Sequence, residues 1–394
     1  MISKKAKILL MWLLFFLSGN PIFYKQSWYN GLVVVVGIII FLLYRPLLNK
    51  YLWKKYFKIA LILGIMFIVQ QISLGFVSIP FVFGLFIKIF IGAVIITLIG
   101  KDLPQVYFIT LYWICILSFP FYIYHMFAGQ GIAKIVESIT NTNSIGLYTF
   151  RPQNAEMFLR NSSMFWEPGV LQSYINIGIF LNIYRIKNLW ISNKIKCLVL
   201  LVALITTFST TGYLVAFIIL VWHLITISKI SLSGKFIMLS FLLFSGIYMY
   251  NTLFFLGAKI EAQVQRNIDS DDLDIGRFGS MLVDIPYIIK HPFFGNGFHP
   301  ITRYADSPDI LERRLDGENV GLSNGLTGIL GSMGFIPFLY LFFFLINSQQ
   351  AAVRKFAYGL TSLMVILLFG EPLFSYSLFW GLLFINFKPF LTLK

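Results

Sequence analysis

The sequence predicts an all-α, polytopic integral membrane protein of about twelve spans joined by two long extracytoplasmic loops. Three observations carry this. First, 58% of the 394 residues are hydrophobic and only 12% are charged, against roughly 45–50% and 25% in soluble domains. With a mean hydropathy of +0.80, the chain has too little polar surface to cover a soluble fold. Second, the apolar residues come in long runs such as Leu32–Leu43. Such runs suit spanning helices, not the strict alternation of a transmembrane barrel. Third, the charges are sorted between the two sides of those runs.

Taken in order, the spans fall near residues 8–24, 32–48, 57–76, 79–99, 106–127, 169–184, 197–210, 212–228, 236–256, 325–346, 356–370 and 374–390. The first has the basic start of a signal peptide. It reads as a retained span, because no small-x-small cleavage site follows and Asn20-Pro21 comes next. The turn Ser209-Thr210-Thr211-Gly212 divides what would otherwise be one overlong apolar stretch. With the N-terminus in the cytoplasm, 19 of the 31 basic residues fall in cytoplasmic segments, nearly all in short loops or at the termini. Of the 16 acidic residues only Asp102 falls there. The positive-inside rule then puts both termini in the cytoplasm. The net charge of +15 follows from this topology and faces lipid headgroups, so it is no nucleic-acid footprint. The chain reads as a single membrane domain, 1–394, with long outer loops at 128–168 and 257–324, the second carrying a surface helix. Long loops on a membrane scaffold commonly carry function.

Three polar constellations border those loops. In Arg160-Asn-Ser-Ser-Met-Phe-Trp-Glu167-Pro168-Gly169, Pro168 suits a first helical turn and puts Glu167 at a helix N-terminus. Gln172 and Asn176 follow four residues apart, on one face of the next span. Together they describe a cavity with a carboxylate at its rim, or else a helix cap with interhelical hydrogen bonds. Arg277 opens an amphipathic stretch of about a dozen residues, too polar to span, that ends at His291-Pro292 and Gly295-Asn-Gly297. Arg277 is suited to grip a phosphate, or to pair with a nearby Asp or snorkel to headgroups. The third, Glu318 through Ser323-Asn324-Gly325, leads into the tenth span; it could place a polar cluster opposite the other two, but on the residues alone a plain loop and N-cap is the favoured reading.

Other signals are weaker. The Asp269–Asp274 run fails the EF-hand pattern, since Leu273 and Ser280 stand at ligand positions. Lys88 falls within the fourth span, where it is a functional hint that snorkelling would also explain. His125 and His223 read as packing residues. Cys115 and Cys197 lie in apolar runs, and the four histidines form no HExxH, so neither a disulfide framework nor a metal site is expected.

Four short patterns resemble the bacterial O-antigen and capsule repeat-unit polymerases of the Wzy type and the related O-antigen ligases. They are Arg160 with Phe165-Trp-Glu167-Pro168-Gly169; Phe208-Ser-Thr-Thr-Gly212; Gly276-Arg277 followed by His291-Pro-Phe-Phe-Gly295-Asn-Gly297; and Ser323-Asn324-Gly325 entering a span with Gly331 and Gly334. There are two departures. The ligases carry His-Asn where this chain has Ser323-Asn324, and a Ser-Arg turn is common where it has Thr211-Gly212. The resemblance implies a GT-C-like membrane glycosyltransferase of the bacterial cytoplasmic (inner) membrane, acting on the extracytoplasmic face without cofactor or metal. Its substrates would be undecaprenyl-pyrophosphate-linked oligosaccharides, and its expected partners are membrane lipid, a chain-length regulator and a flippase, with no nucleic acid. Arg160 and Arg277 would stabilise the pyrophosphate leaving group, with Glu167 as base and Glu318 and His299 in reserve. Gln172, Asn176, Gly295, Gly297, Ser323 and Asn324 would line the substrate cavity. The same fold also admits a ligase that transfers finished glycan. A lipid-linked oligosaccharide flippase is the alternative of another class, disfavoured by the two long loops and the one-sided acids.

Overall fold

The computed structural model describes residues 2–24, 26, 28–48, 50–129, 131–151, 159–183, 192–226, isolated positions from 231 to 244, 277–315 and 324–388. These residues fold into helices, with one isolated antiparallel bridge between Ser144 and Thr149. The helices used below are α1 (Lys4–Phe16), α2 (Tyr29–Tyr44), α3 (Lys50–Leu74), α4 (Ile79–Ile99), α5 (Leu103–Ala128), α6 (Gly131–Thr140) and α7 (Pro168–Leu181). They continue as α8 (Lys194–Thr206), α9 (Thr210–Thr226), α10 (Arg277–Lys290), α11 (Gly325–Met333), α12 (Phe335–Asn347), α13 (Arg354–Gly370) and α14 (Ser377–Leu382).

Their outward faces remain apolar: Leu42, Leu43, Ile72, Ile79, Phe127 and Leu339 are all exposed. A surface of this kind is suited to lipid, not water. Among the described residues, three stretches are long and apolar enough to cross a membrane, one being the contiguous run Ile79–Ala128 that Gly100 interrupts. The bent pair α11 and α12 brings this to four if counted as one span. The molecule is an integral membrane protein, with fewer full-length helices among the described residues than the hydropathy pattern predicts. The ninth expected span, 236–256, lies almost wholly outside them, and so do Glu318, Ser323 and the Asp269–Asp274 run.

Three expected spans need correction; of these the twelfth, expected at 374–390, contains among its described residues only the six-residue α-helix α14 (Ser377–Leu382). The first ends at Phe16 and gives way to a turn at Gly19, whose φ of +117° places it in the left-handed region. The carbonyl of Gly19 accepts from Trp166 N–H at 2.9 Å, so the turn is pinned by the segment before α7. The tenth breaks at Gly334, φ +73°, where α11 and α12 meet at 112°. The freed backbone groups are taken up by the segment after α10. Phe335 N–H donates to Pro292 O (2.7 Å), Ile336 N–H to Phe293 O (3.1 Å) and Gly297 N–H to Ser332 O (3.0 Å). Non-helical backbone at this depth is tolerated only where protein satisfies it.

The α10 stretch was expected to lie along a surface. It packs one side against α11, with Ser280 and Asp284 fully buried, while Leu282, Ile285 and Ile289 on it are exposed. Arg303 pairs with Asp284, whose second oxygen accepts from Thr327 Oγ1 at 2.7 Å. This buried ion pair fixes α10 to the broken span.

Close backbone contacts and aromatic packing hold the remainder. A Cβ on Gly92 of α4 would lie 2.1 Å from Ser377 O, so α14 crosses there through direct backbone contact, as small residues permit between membrane helices. Phe15, Tyr107, Phe165 and Tyr174 pack edge to face. Tyr174 Oη donates to Ser18 O (2.7 Å) and Tyr107 Oη to Tyr174 O (3.0 Å). This floor joins α1, α5 and α7 beneath the site described next. At the opposite end of α1, Lys7 pairs with Asp102 at 2.6 Å.

Candidate active site

The C-terminal ends of α1, α8 and α13 and the N-terminal ends of α7, α9, α10 and α11 converge at one end of the bundle. Contacts between residues at these ends show this directly. Arg277, the first residue of α10, donates from Nη1 to Thr211 Oγ1 at 2.7 Å and from Nη2 to Glu371 Oε1 at 3.2 Å. Thr211 lies in the first turn of α9, and Glu371 caps the C-terminal end of α13. Arg277 thus ties three separate parts of the chain together.

Two glutamates define the site, and the local sequence sets both in the same way. Each precedes a proline, in Trp166-Glu167-Pro168 and Gly370-Glu371-Pro372. A following proline disfavours helical backbone at the residue before it. Glu167 accordingly has φ −137°, ψ 144° and Glu371 φ −151°, ψ 146°. Each therefore leaves the helical path at a helix end.

Their partners differ. Glu167 is held in a two-pronged pair, with Arg151 Nη1 to Oε2 at 2.6 Å and Nη2 to Oε1 at 2.8 Å. Both carboxylate oxygens are engaged, in the fork geometry that makes such pairs strong. Glu371 has its Arg277 contact in deeper surroundings, its side chain 8% exposed. Burial pushes the Glu371 carboxyl up, to about 7; Arg277 pulls it down, Glu167 pushes it up, and Arg160 and Arg151 pull it down. Desolvation outweighs the cations because the whole group is buried. The same interactions show that both glutamates and the three arginines share one electrostatic neighbourhood.

Glycines make room for this arrangement. A Cβ on Gly169 would lie 1.6 Å from Glu371 Oε1, so the carboxylate occupies the space a side chain would take. A Cβ on Gly325 would lie 2.2 Å from the Glu371 carbonyl oxygen. Gly212 fits against Gln172, where a Cβ would meet its side chain at 2.9 Å.

The residues singled out from the sequence separate into three groups. Arg277, Glu167 and Arg160 come together; Arg160 also donates from Nε to Thr207 O at 3.0 Å. Gln172 and Asn176 stand beside them as a buried support, with Asn176 Nδ2 donating to Gln172 O and Oε1 and to Gly212 O at 3.0–3.1 Å. Asn324 caps α11 through Oδ1, accepting from Leu326 and Thr327 N–H at 3.1 and 3.2 Å. Its amide reaches the Arg277 carbonyl at 3.4 Å. The third group serves the broken span. A Cβ on Gly295 would lie 2.4 Å from Ser332 O, and Gly297 at φ +81° continues that contact. His299 accepts from Ile301 N–H at 3.3 Å and packs edge-on to Phe76. Glu318 and Ser323 lie outside the described residues.

Sequence reasoning missed Glu371 and Arg151, and it placed Thr211 in the Phe208–Gly212 pattern without giving it a role. A signal for Glu371 existed: it is an acid in a short turn between two apolar runs, repeating the Glu-Pro step of residues 167–168. An ionisable residue so placed is a functional candidate by default. Among the described residues no group of His, Cys, Asp or Glu is arranged to hold a metal ion.

Residues 195–342 match the family model described as O-antigen ligase. The match supports the O-antigen ligase/polymerase superfamily, and with it glycan ligation or polymerisation in surface polysaccharide synthesis by a membrane glycosyltransferase-like enzyme. It gives a transporter reading no support. Arg277 and Thr211 lie within the matched stretch, while Glu167, Arg160 and Glu371 lie outside it. No curated protein and no solved structure matches the chain.

Proposed function

We propose that this protein polymerises undecaprenyl-pyrophosphate-linked oligosaccharide repeat units into a surface polysaccharide on the extracytoplasmic face of the bacterial inner membrane. The observation that carries the reading is the buried Glu371–Arg277 pair set among Arg160 and the Arg151–Glu167 fork. Glycosyl transfer from a lipid pyrophosphate has two requirements. The leaving pyrophosphate gains charge as the anomeric carbon–oxygen bond breaks, so cations must already be aimed at it. The attacking hydroxyl must lose a proton to a base whose pKa suits neutral pH.

Arg277 and Arg160 supply the cations, and Thr211 orients Arg277. The base role, first assigned to Glu167, fits Glu371 better. Glu167 already spends both oxygens on Arg151, whereas Glu371 has a carboxyl raised to about 7. In the proposed step the acceptor sugar oxygen bonds to the donor anomeric carbon. The bond from that carbon to the pyrophosphate oxygen breaks, its electron pair leaves with the pyrophosphate, and the hydroxyl proton passes to Glu371. Glu167 positions Arg151 at the rim, and Gln172 and Asn176 hold the α7–α9 contact on which Thr211 depends.

Polymerase is favoured over ligase by Ser323, which stands where ligases carry a histidine. The test is genetic and chemical together. With wild-type protein levels, Arg277→Ala and Glu371→Gln are expected to abolish long chains while single repeats persist. Long chains stranded on the lipid carrier would instead identify a ligase, and unchanged chain length in both variants would refute the site.

A further inference from the structure

At the opposite end of the bundle, near the Lys7–Asp102 pair, α3 and α4 and the segment after α14 line a cavity of about 170 Å³. Lys55 lines it, together with Thr97, Lys101 and Asn386. Lys55 is 4% exposed, and its Nζ has no hydrogen-bond partner. Its ammonium lies 4.9 Å from the centre of the Tyr51 ring and 5.8 Å from that of Phe344. Two rings satisfy part of its charge but none of its three donors. A lysine near a membrane helix end ordinarily snorkels to water. This one is instead held among protein groups on the wall of a cavity.

An unpaired buried ammonium is costly unless an anion accompanies it. Among the described residues none is offered there: no acidic residue lines the cavity, and the nearby Asp102 is already bound to Lys7. A second cation, the exposed Lys101, stands at the mouth, and Thr97 and Asn386 add neutral hydrogen-bonding groups. Two cations with neutral polar neighbours suit an oxyanion with several acceptor oxygens.

We propose that this cavity binds a phosphate oxyanion, with Lys55 as the buried cation and Lys101 as the cation at the mouth. The phosphate would come from a phospholipid headgroup or from free phosphate, both of which present the same oxygens. The site is separate from the Glu371 cluster and stands whether or not the glycosyl-transfer reading does.

The test uses the full chain purified in neutral detergent. It is titrated in turn with phosphatidylglycerol, phosphatidylcholine and inorganic phosphate, and followed by native mass spectrometry and thermal melting. Phosphatidylglycerol is expected to be retained and to raise Tm, with Lys55→Met weakening it about tenfold, as loss of a hydrogen bond to a charged group does. Lys101→Gln should weaken it less. A Lys55-dependent effect of phosphatidylglycerol alone identifies the lipid as the source. A Lys55-dependent effect of inorganic phosphate identifies the free ion. Should Lys55→Met fail to fold, Thr97→Leu fills the cavity without removing the cation and should block binding equally. No binding of either phosphate source, or binding equal in wild type and variants, overturns the proposal.

Discussion

Gly169→Ala is the sharpest probe of the site, because it adds one methyl group at a place already occupied. The new Cβ would lie 1.6 Å from Glu371 Oε1 and 2.3 Å from its Cδ. Ordinary contact needs about 3.5 Å, so the carboxylate must retreat by roughly 2 Å. Such a retreat is longer than the 3.2 Å Arg277 contact can tolerate unless both groups move together. Relief is cheap for the fold, since the displaced atoms form the end of a flexible side chain and alanine suits a first helical turn. It is expensive for chemistry, because a misplaced general base forfeits about 10²–10⁴ in rate. Gly169→Ala should therefore reach the membrane at wild-type levels, melt within a few degrees of wild type, and make few or no long chains. The assay is a gel ladder of polysaccharide from a strain relying on the variant, with protein quantified in the same membranes. A full ladder from Gly169→Ala would refute the placement of Glu371 at the reacting atoms.

Further expectations follow from the same geometry. Because only the ionised form of Glu371 accepts a proton, chain formation should rise with pH through about 7, and Glu371→Gln should lose that rise along with the activity. The folded-state carboxyl is raised above its unfolded value, so its stabilising contribution is full below the unfolded pKa of about 4.3. It is lost as pH rises through about 7, so Glu371→Gln should gain in melting temperature over wild type across that window. Arg277→Lys keeps the charge but loses the two-armed reach to Thr211 and Glu371, so ladders should shorten sharply, which a conservative surface exchange would not do. Arg303→Met strands the fully buried Asp284 and should cost about 3–5 kcal/mol, most of it recovered when Asp284→Leu is added; equal melting of single and double variants would contradict this.

The apolar runs disclosed most helices, because lipid-facing segments must be apolar whatever they pack against. They did not disclose the break at Gly334. The surrounding stretch Gly331-Ser-Met-Gly334-Phe-Ile-Pro reads as one continuous span. What breaks it is tertiary: the Pro292–Gly297 backbone supplies the carbonyls and N–H groups that the bend leaves open. The four short motifs did contain both halves of that contact, but as separate patterns. At the site, Arg160, Glu167 and Arg277 were legible because each sits in a distinctive local run. Glu371 sits in an apolar stretch whose only mark is the Glu-Pro step, and nothing local says that it meets Arg277 across 94 positions of sequence. The burial that raises its carboxyl is likewise a property of assembled helices, not of the sequence around it.

The central claim is that the Glu371–Arg277 cluster joins lipid-linked repeat units. Purified protein incubated with a synthetic undecaprenyl-pyrophosphate repeat unit tests it most directly. The account predicts a regular ladder of products with release of undecaprenyl pyrophosphate, absent with Glu371→Gln and Arg277→Ala. A ladder of wild-type intensity from both variants, or intact repeat unit left unreacted by a well-folded wild-type protein, would contradict it.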